Sequence, residues 1–396
     1  MFKLTRRKML INLGLLATPM LSVRTGRGET SGEYEDTLQS VFPDKIFGRM
    51  VTLTEYMTSD ELADANSSSP ILDHSEALNK ALKISKMVFI PPVKGYYRFK
   101  DVDLDDGVWL IGSSKLPYFP KNEKNILGCG SAIVMMEGGK NIFKFNNNVT
   151  LFGLLMYGSI NRDIDGIGFS EKIISGKVSN LRLLYCGFYS FRVGIGHNTK
   201  YIKADVNNCI AASNITGVKN LVDSKIFGGC INANRGDGVY FGKGANDNIL
   251  INLKSEWNKR CNFRFEQSIN NILSNSICDR AGMQGIKLIK SQVIIDSCVL
   301  RRNGALVNDA DFSAHIWLEG EGCSFLAKNV KTLTGKNDDR SGMLSPMYTV
   351  IFAGDSDLYS VVISDSDLSG AVLMSFNQKT LPKSLKLQNN IIKGNG

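Results

Sequence analysis

The chain is short of proline, histidine and tryptophan, with 9, 3 and 3 in 396 residues. None of its cysteines stands in a Cys-x-x-Cys pair. His74, His197 and His315 are isolated, so no metal-ligand spacing exists, and no group of aspartates is suited to Ca²⁺. No metal and no cofactor are expected. Cys129, Cys186, Cys209, Cys230, Cys261, Cys278, Cys298 and Cys323 are scattered singly. That spacing suits small buried core residues better than a disulfide framework. The apolar run Met9 to Leu21 is shorter than the roughly 20 residues of a membrane span. Nor does the formal charge of +9 argue for nucleic acid, because Lys3, Arg6, Arg7, Lys8, Arg24 and Arg27 supply six of those charges.

What is present is repetition. Asn248 to Glu256, Asn271 to Asp279 and Gln292 to Leu300 read as copies of one short sentence, with a looser copy at Asn220 to Phe227. A second set keeps step: Val239-Tyr-Phe241, Phe263-Arg-Phe265, Ile286-Lys-Leu288 and Ile316-Trp-Leu318. Each repeat holds at least two brief strands between Gly/Asn/Asp/Ser turns and leaves no room for a helix. Scarce proline fits, since strand interiors must keep their N–H donors. Repeats of about 20–25 residues built this way indicate an all-β solenoid, a right-handed single-stranded parallel β-helix.

Residues 1–28 read as an export signal, with Arg6-Arg7 before the apolar run resembling a twin-arginine motif. A general secretory signal is the alternative; either delivers a periplasmic or secreted protein without a stable membrane anchor. Residues 29–92 form a lead-in and cap. Within them Asp60 to Ser69 reads as a polar loop, and Asp73 to Ser85 as an amphipathic helix with Asp73 or Ser75 at its N-cap. This helix covers the first coil of a solenoid that occupies residues 93–396. Residues 140–217 are less regular, Gly335 to Met347 reads as an inserted loop, and no trimerisation or receptor-binding domain is expected before Gly396.

In that repeat alignment, Ile226, Ser255, Cys278, Val299 and Leu368 form an inward column. Side chains alternate along a strand, so Phe227, Glu256, Asp279 and Leu300 should face outward. Glu256 and Asp279 then occupy one place on adjacent coils, with backbones about 4.8 Å apart. Two such carboxylates repel, which raises one pKa and leaves the other ionised, the acid and base that glycoside hydrolysis requires. A pair of solvated surface acids is the plain alternative. Trp257 stacks on a sugar or turns into the core. Arg280, Arg301 and Arg302 bind acidic groups of a polymer, or form a solvated basic edge. Asp223 and Asp237 are further candidate acids and Tyr240 a further sugar contact, whereas Arg235-Gly-Asp237 reads as a turn. The pairs Asn207-Asn208, Asn270-Asn271 and Asn389-Asn390 read as turn residues or stacked amides.

The helix, Val88-Phe-Ile-Pro-Pro-Val-Lys-Gly-Tyr-Tyr97 and Gly107-Val-Trp-Leu-Ile-Gly-Ser-Ser114 resemble the opening of pectate-lyase-like β-helix proteins. Leu116-Pro-Tyr118, Gly130-Ser-Ala-Ile133, Gly158 to Arg162, Ser255-Glu-Trp-Asn258 and Cys278-Asp-Arg-Ala-Gly282 look like bacteriophage tailspike depolymerases. With the export signal, the whole is similar to the tailspike-like glycan-modifying proteins of bacterial exopolysaccharide (stewartan-type) loci. The resemblance implies an endo-glycosidase on an exopolysaccharide, working as a monomer or homotrimer. A polysaccharide lyase, with Lys254 or Arg280 as base, and a non-catalytic glycan-binding protein remain alternatives.

Overall fold

The computed structural model describes residues 49–158, 167–169, 180–307, 309–335, 345–354, 360–378 and 381–394. The stretch read as an export signal and most of that read as a Gly335–Met347 loop therefore lie outside the described residues. The chain winds as a right-handed parallel β-helix, and among the described residues every strand pair is parallel, as the repeats predict. Three sheets run along it. Around the repeats, sheet 1 stacks Ile249–Ile251, Asn271–Ser274 and Gln292–Asp296. Sheet 2 stacks Lys254–Glu256, Ile277–Asp279 and Val299–Arg301. Sheet 3 stacks Val239–Phe241, Phe263–Glu266, Ile286–Ile289 and Ala314–Glu319. The second set of apolar runs pairs in the register the sequence implies, Tyr240 on Arg264 on Lys287 on Trp317.

The interior is one continuous core, in which Leu250, Leu273, Phe263, Phe265, Cys278 and Leu300 are fully covered. All eight cysteines are free, and seven of them are buried. Asparagines enter the interior as hydrogen-bonded ladders, as burial demands. At the corner from sheet 2 to sheet 3, the Asn234 N–H donates to Asn258 Oδ1 at 3.1 Å, and the Asn214 N–H donates to Asn234 Oδ1 at 3.0 Å. Gly238 passes over this ladder so closely that a Cβ would sit 2.6 Å from Asn258 Nδ2.

The ladder begins ahead of residue 93. Val51–Thr52 pairs with Met87–Ile90, which pairs with Trp109–Gly112. Helix α1, Ser59–Ala65, occupies the stretch expected to be a loop. Its signal is a capping box, in which Thr58 Oγ1 accepts from the Glu61 N–H at 3.2 Å and Glu61 Oε2 accepts from the Thr58 N–H at 2.7 Å. Helix α2, Ser75–Ile84, buries Ala77, Leu78 and Ala81 against the first coil. His74 holds its N-cap position, while Asp73 Oδ1 accepts from the Ser75 N–H at 3.0 Å. None of the described helices is long and apolar enough to cross a membrane.

Candidate active site on the outer face of sheet 2

Ser255, Cys278 and Leu300 form the inward column of sheet 2, and Glu256, Asp279 and Arg301 the outward one. The expected neighbours were one residue out of step. Val299 pairs with Ile277, so Leu300 is the buried residue and Arg301 continues the outward column. The cause is the spacing: Asn271 pairs with Val293, not Gln292, so that repeat is one residue longer than the aligned letters suggest. Ile226 also leaves the column, because it pairs with Leu250 on sheet 1.

The outward columns of sheet 2 change character along the solenoid. Over the first coils they are apolar: Ala132, Leu155 and Ile210 in one, Val134, Tyr157, Tyr189 and Ala212 in the other. The 113–130 loop covers them, packing Leu116, Ile126 and Leu127 onto that patch. Tyr189 Oη pins the loop by donating to Pro117 O at 2.7 Å. Where the cover ends, the second column becomes Asn232, Glu256, Asp279 and Arg301. Tyr118, 48% exposed, stands at this boundary and accepts a hydrogen bond from Lys254 Nζ at 3.2 Å. The same ammonium lies 3.0 Å from Glu256 Oε1.

Glu256 and Asp279 point outward but are not solvated, with 3% and 0% exposure. Neither the plain surface-acid alternative nor an exposed catalytic pair fits that burial. Their environments differ. Burial, and after it the charge of Asp279, push the Glu256 pKa above the usual carboxylate value against the pull of Arg280, Arg301 and Arg302. Asp279 is caged by guanidiniums. Arg302 Nε donates to Oδ1 at 2.7 Å, its Nη2 donates to Oδ2, and Arg280 Nη1 donates to Oδ2 at 3.2 Å. Arg301 Nε lies 3.0 Å from Oδ2 without hydrogen-bond alignment.

Three cage and platform residues come from one backbone feature. Trp257, Arg280 and Arg302 follow sheet 2 on successive coils with φ of +56°, +49° and +54°. At the corner from sheet 1 to sheet 2 this left-handed place falls to Asn252, Asn275, Ser297 and Asn329, small polar residues that tolerate it. A tryptophan and two arginines there carry a conformational cost of about 1–3 kcal/mol each, the kind of local strain that gathers at functional sites. The gain is placement. Trp257 is 43% exposed, with the Arg280 guanidinium 4.3 Å from its ring centre.

Six of the nine expected site residues thus meet on one face: Glu256, Asp279, Trp257, Arg280, Arg301 and Arg302. Asp237 and Tyr240 lie together past the corner on sheet 3. There Asp237 Oδ1 accepts from the Cys261 N–H at 3.0 Å, and Tyr240 Oη donates to Glu266 at 3.3 Å. Arg264 joins that group, with Nη2 2.7 Å from Glu266 and Nη1 3.8 Å from Asp237. Asp223 is brought to neither. It is an exposed turn residue at the corner from sheet 3 to sheet 1, with φ of +48°, stacked above Asp247 and Asn270. Of the asparagine pairs, Asn208, Asn270 and Asn389 hold left-handed turn positions and Asn271 stands in an inner amide ladder. Tyr118 carries no signal of a site role in the sequence, because only the folded loop brings it to Lys254 from 136 residues away. Among the described residues no group of histidines, cysteines and carboxylates is placed to hold a metal ion.

No known protein-family profile matches the chain. Solved structures do. The enzymatically active domain of bacteriophage CBA120 tailspike protein 2 matches with a TM-score of 0.63 at 12% identity, over 87% of this chain and 52% of that one. This chain therefore spans about half the length of that tailspike structure. The mannuronan C-5 epimerase AlgE4 A-module of Azotobacter vinelandii matches with a TM-score of 0.54 at 14% identity, over 86% and 95% of the two chains. A DFA-IIIase from Arthrobacter chlorophenolicus A6 gives 0.57 at 12% identity, over 86% and 93%. At these identities the likeness is one of fold, and the fold is the tailspike-like parallel β-helix.

Proposed function

We propose that this protein is a carbohydrate-active enzyme, an endo-glycosidase that hydrolyses an acidic bacterial exopolysaccharide after export by its twin-arginine-like signal. The carrying observation is Glu256, an outward but buried carboxyl whose pKa is raised. Such a group keeps its proton further toward neutral pH than an ordinary carboxylate, which is what a proton donor to a glycosidic oxygen needs. Support for an acidic substrate comes from the charge of the face, where Lys254, Arg280, Arg301 and Arg302 outnumber Glu256 and Asp279. Half-exposed Tyr118 and Trp257 offer ring faces near Glu256, suited to stacking pyranose rings on an internal stretch of polymer. Solved proteins of the same fold include the enzymatically active domain of a tailspike, a mannuronan C-5 epimerase module and a DFA-IIIase, which supports an enzymatic reading.

Asp279 is first a positioning residue, since its oxygens are engaged by arginines. Arg301, whose side chain is 38% exposed, is the guanidinium best able to turn toward a sugar carboxylate. The test is depolymerisation of acidic exopolysaccharides by the parent and by Glu256→Gln. The parent should release new reducing ends without ultraviolet absorbance, and the variant should lose at least about a hundredfold in turnover. Absorbing, unsaturated ends would instead establish a lyase, and binding without any cleavage a glycan-binding protein.

A further inference from the structure

Buried asparagines in this solenoid are bonded through their side chains: Asn214, Asn234, Asn248, Asn258, Asn262, Asn271 and Asn303 all make side-chain hydrogen bonds. Asn232 differs. It is 3% exposed, yet its Oδ1 is buried without a hydrogen-bond partner. Ser213, 9% exposed, has a buried Oγ in the same condition. A buried, unsatisfied polar atom costs about 1–3 kcal/mol, so two together require an explanation.

Asn232 lies beside Glu256, and Ser213 lies beside Asn232 on the preceding coil. Asn232 pairs with Glu256 in the outward column of sheet 2, and the Ser213 N–H donates to Asn232 O at 3.2 Å. Ser213 holds the same left-handed corner position, φ +61°, that Trp257 holds two coils later. Ser213, Asn232 and Glu256 therefore sit on three successive coils at the end of the 113–130 cover.

We propose that Asn232 and Ser213 form a subsite that binds a hydroxyl group of the sugar ring placed against Glu256. The inference rests on the glycosidase reading. An amide oxygen only accepts, so the ligand must donate, while a serine hydroxyl can accept and donate in turn. A pyranose hydroxyl, or two adjacent ones, supplies that pattern without charge. A sugar carboxylate cannot satisfy Asn232 Oδ1, so this subsite takes the neutral side of the ring and leaves the acidic substituents to Arg280, Arg301 and Arg302.

The test uses the full chain and an acidic exopolysaccharide that the parent depolymerises. Asn232→Ala and Ser213→Ala are each combined with Glu256→Gln, and affinity for the intact polymer is measured against Glu256→Gln alone. Loss of each neutral hydrogen bond should weaken binding about three- to tenfold. The thermal midpoint of Asn232→Ala should be unchanged or higher, because the change removes an unsatisfied acceptor rather than a bond. A structural role predicts the reverse, a lower midpoint with affinity unchanged, and that result would overturn the proposal. Reduced turnover of Asn232→Ala at unchanged affinity would also overturn it, assigning Asn232 to the attacking water. If Glu256→Gln proves active, the catalytic reading fails, while loss of affinity in Asn232→Ala still reports on the subsite.

Discussion

Asp279→Asn and Glu256→Gln are the same chemical change one coil apart, and the structure predicts opposite effects on stability. Asp279 is fully buried and answers three guanidiniums, so losing its charge leaves cations without their partner. Breaking one side of a buried ion pair costs about 3–5 kcal/mol. Arg301 can turn toward water, and an asparagine oxygen can still accept from Arg302 Nε, so the lower end applies, about 3 kcal/mol. Spread over about 350 folded residues, the unfolding entropy is about 0.7 kcal/mol per kelvin, which converts this loss to about 4 °C in midpoint.

Glu256 runs the other way. Its folded pKa lies above the ordinary carboxylate value, so between the two values the folded state binds more protons than the unfolded one. Parent stability is therefore fully present below the unfolded pKa and declines as pH rises through the folded pKa. Glu256→Gln removes that decline, and at neutral pH it should melt at or above the parent. Thermal melting from pH 4 to 8, with hydrogen exchange over 277–303, measures both effects. If Asp279→Asn melts with the parent while Glu256→Gln falls well below it, the assignment of charge in this site is wrong.

The remaining expectations concern catalysis, redox state and export. Activity should require protonated Glu256, so kcat should fall as pH rises through a limb lying above the ordinary carboxylate pKa; a profile flat to pH 9 would refute the proton-donor role. Burial pushes the thiols of Cys230 and Cys298 up to about 11 and that of Cys261 up to about 12. Native protein should therefore alkylate slowly, with half-exposed Cys129 first, whereas all eight should label once it is unfolded without reductant. Unfolded protein that labels at only a few would reveal disulfides. Arg6→Lys with Arg7→Lys should abolish export, and unchanged export would leave only a general secretory signal.

The parts of this molecule legible in the letters are those where one coil repeats the next. Sheet 3 shows it: Tyr240, Arg264, Lys287 and Trp317 follow one another in register because each lies between two apolar residues that must both enter the core. Glu256 and Asp279 were legible for the same reason, each following an inward Ser255 or Cys278. The slip to Val299 shows the limit of this reading. Aligning Gln292 with Asn271 puts that copy one residue out of phase and reverses the face of each side chain up to Leu300, because aligned letters alone do not mark how many residues a turn absorbs. Burial of the carboxylates was hidden more deeply. The cover beside them is a loop from 113–130, and two counterions of Asp279, Arg280 and Arg302, stand in left-handed positions that sequence would assign to asparagine or glycine. That conflict between residue and backbone is itself informative. Trp257, Arg280 and Arg302 hold their corner against local preference, and they do so on the coils where two carboxylates lie buried on the outer face of the sheet. Local preference gives way there, and such conflict is what singles out a candidate site in a solenoid otherwise built from agreement between one coil and the next.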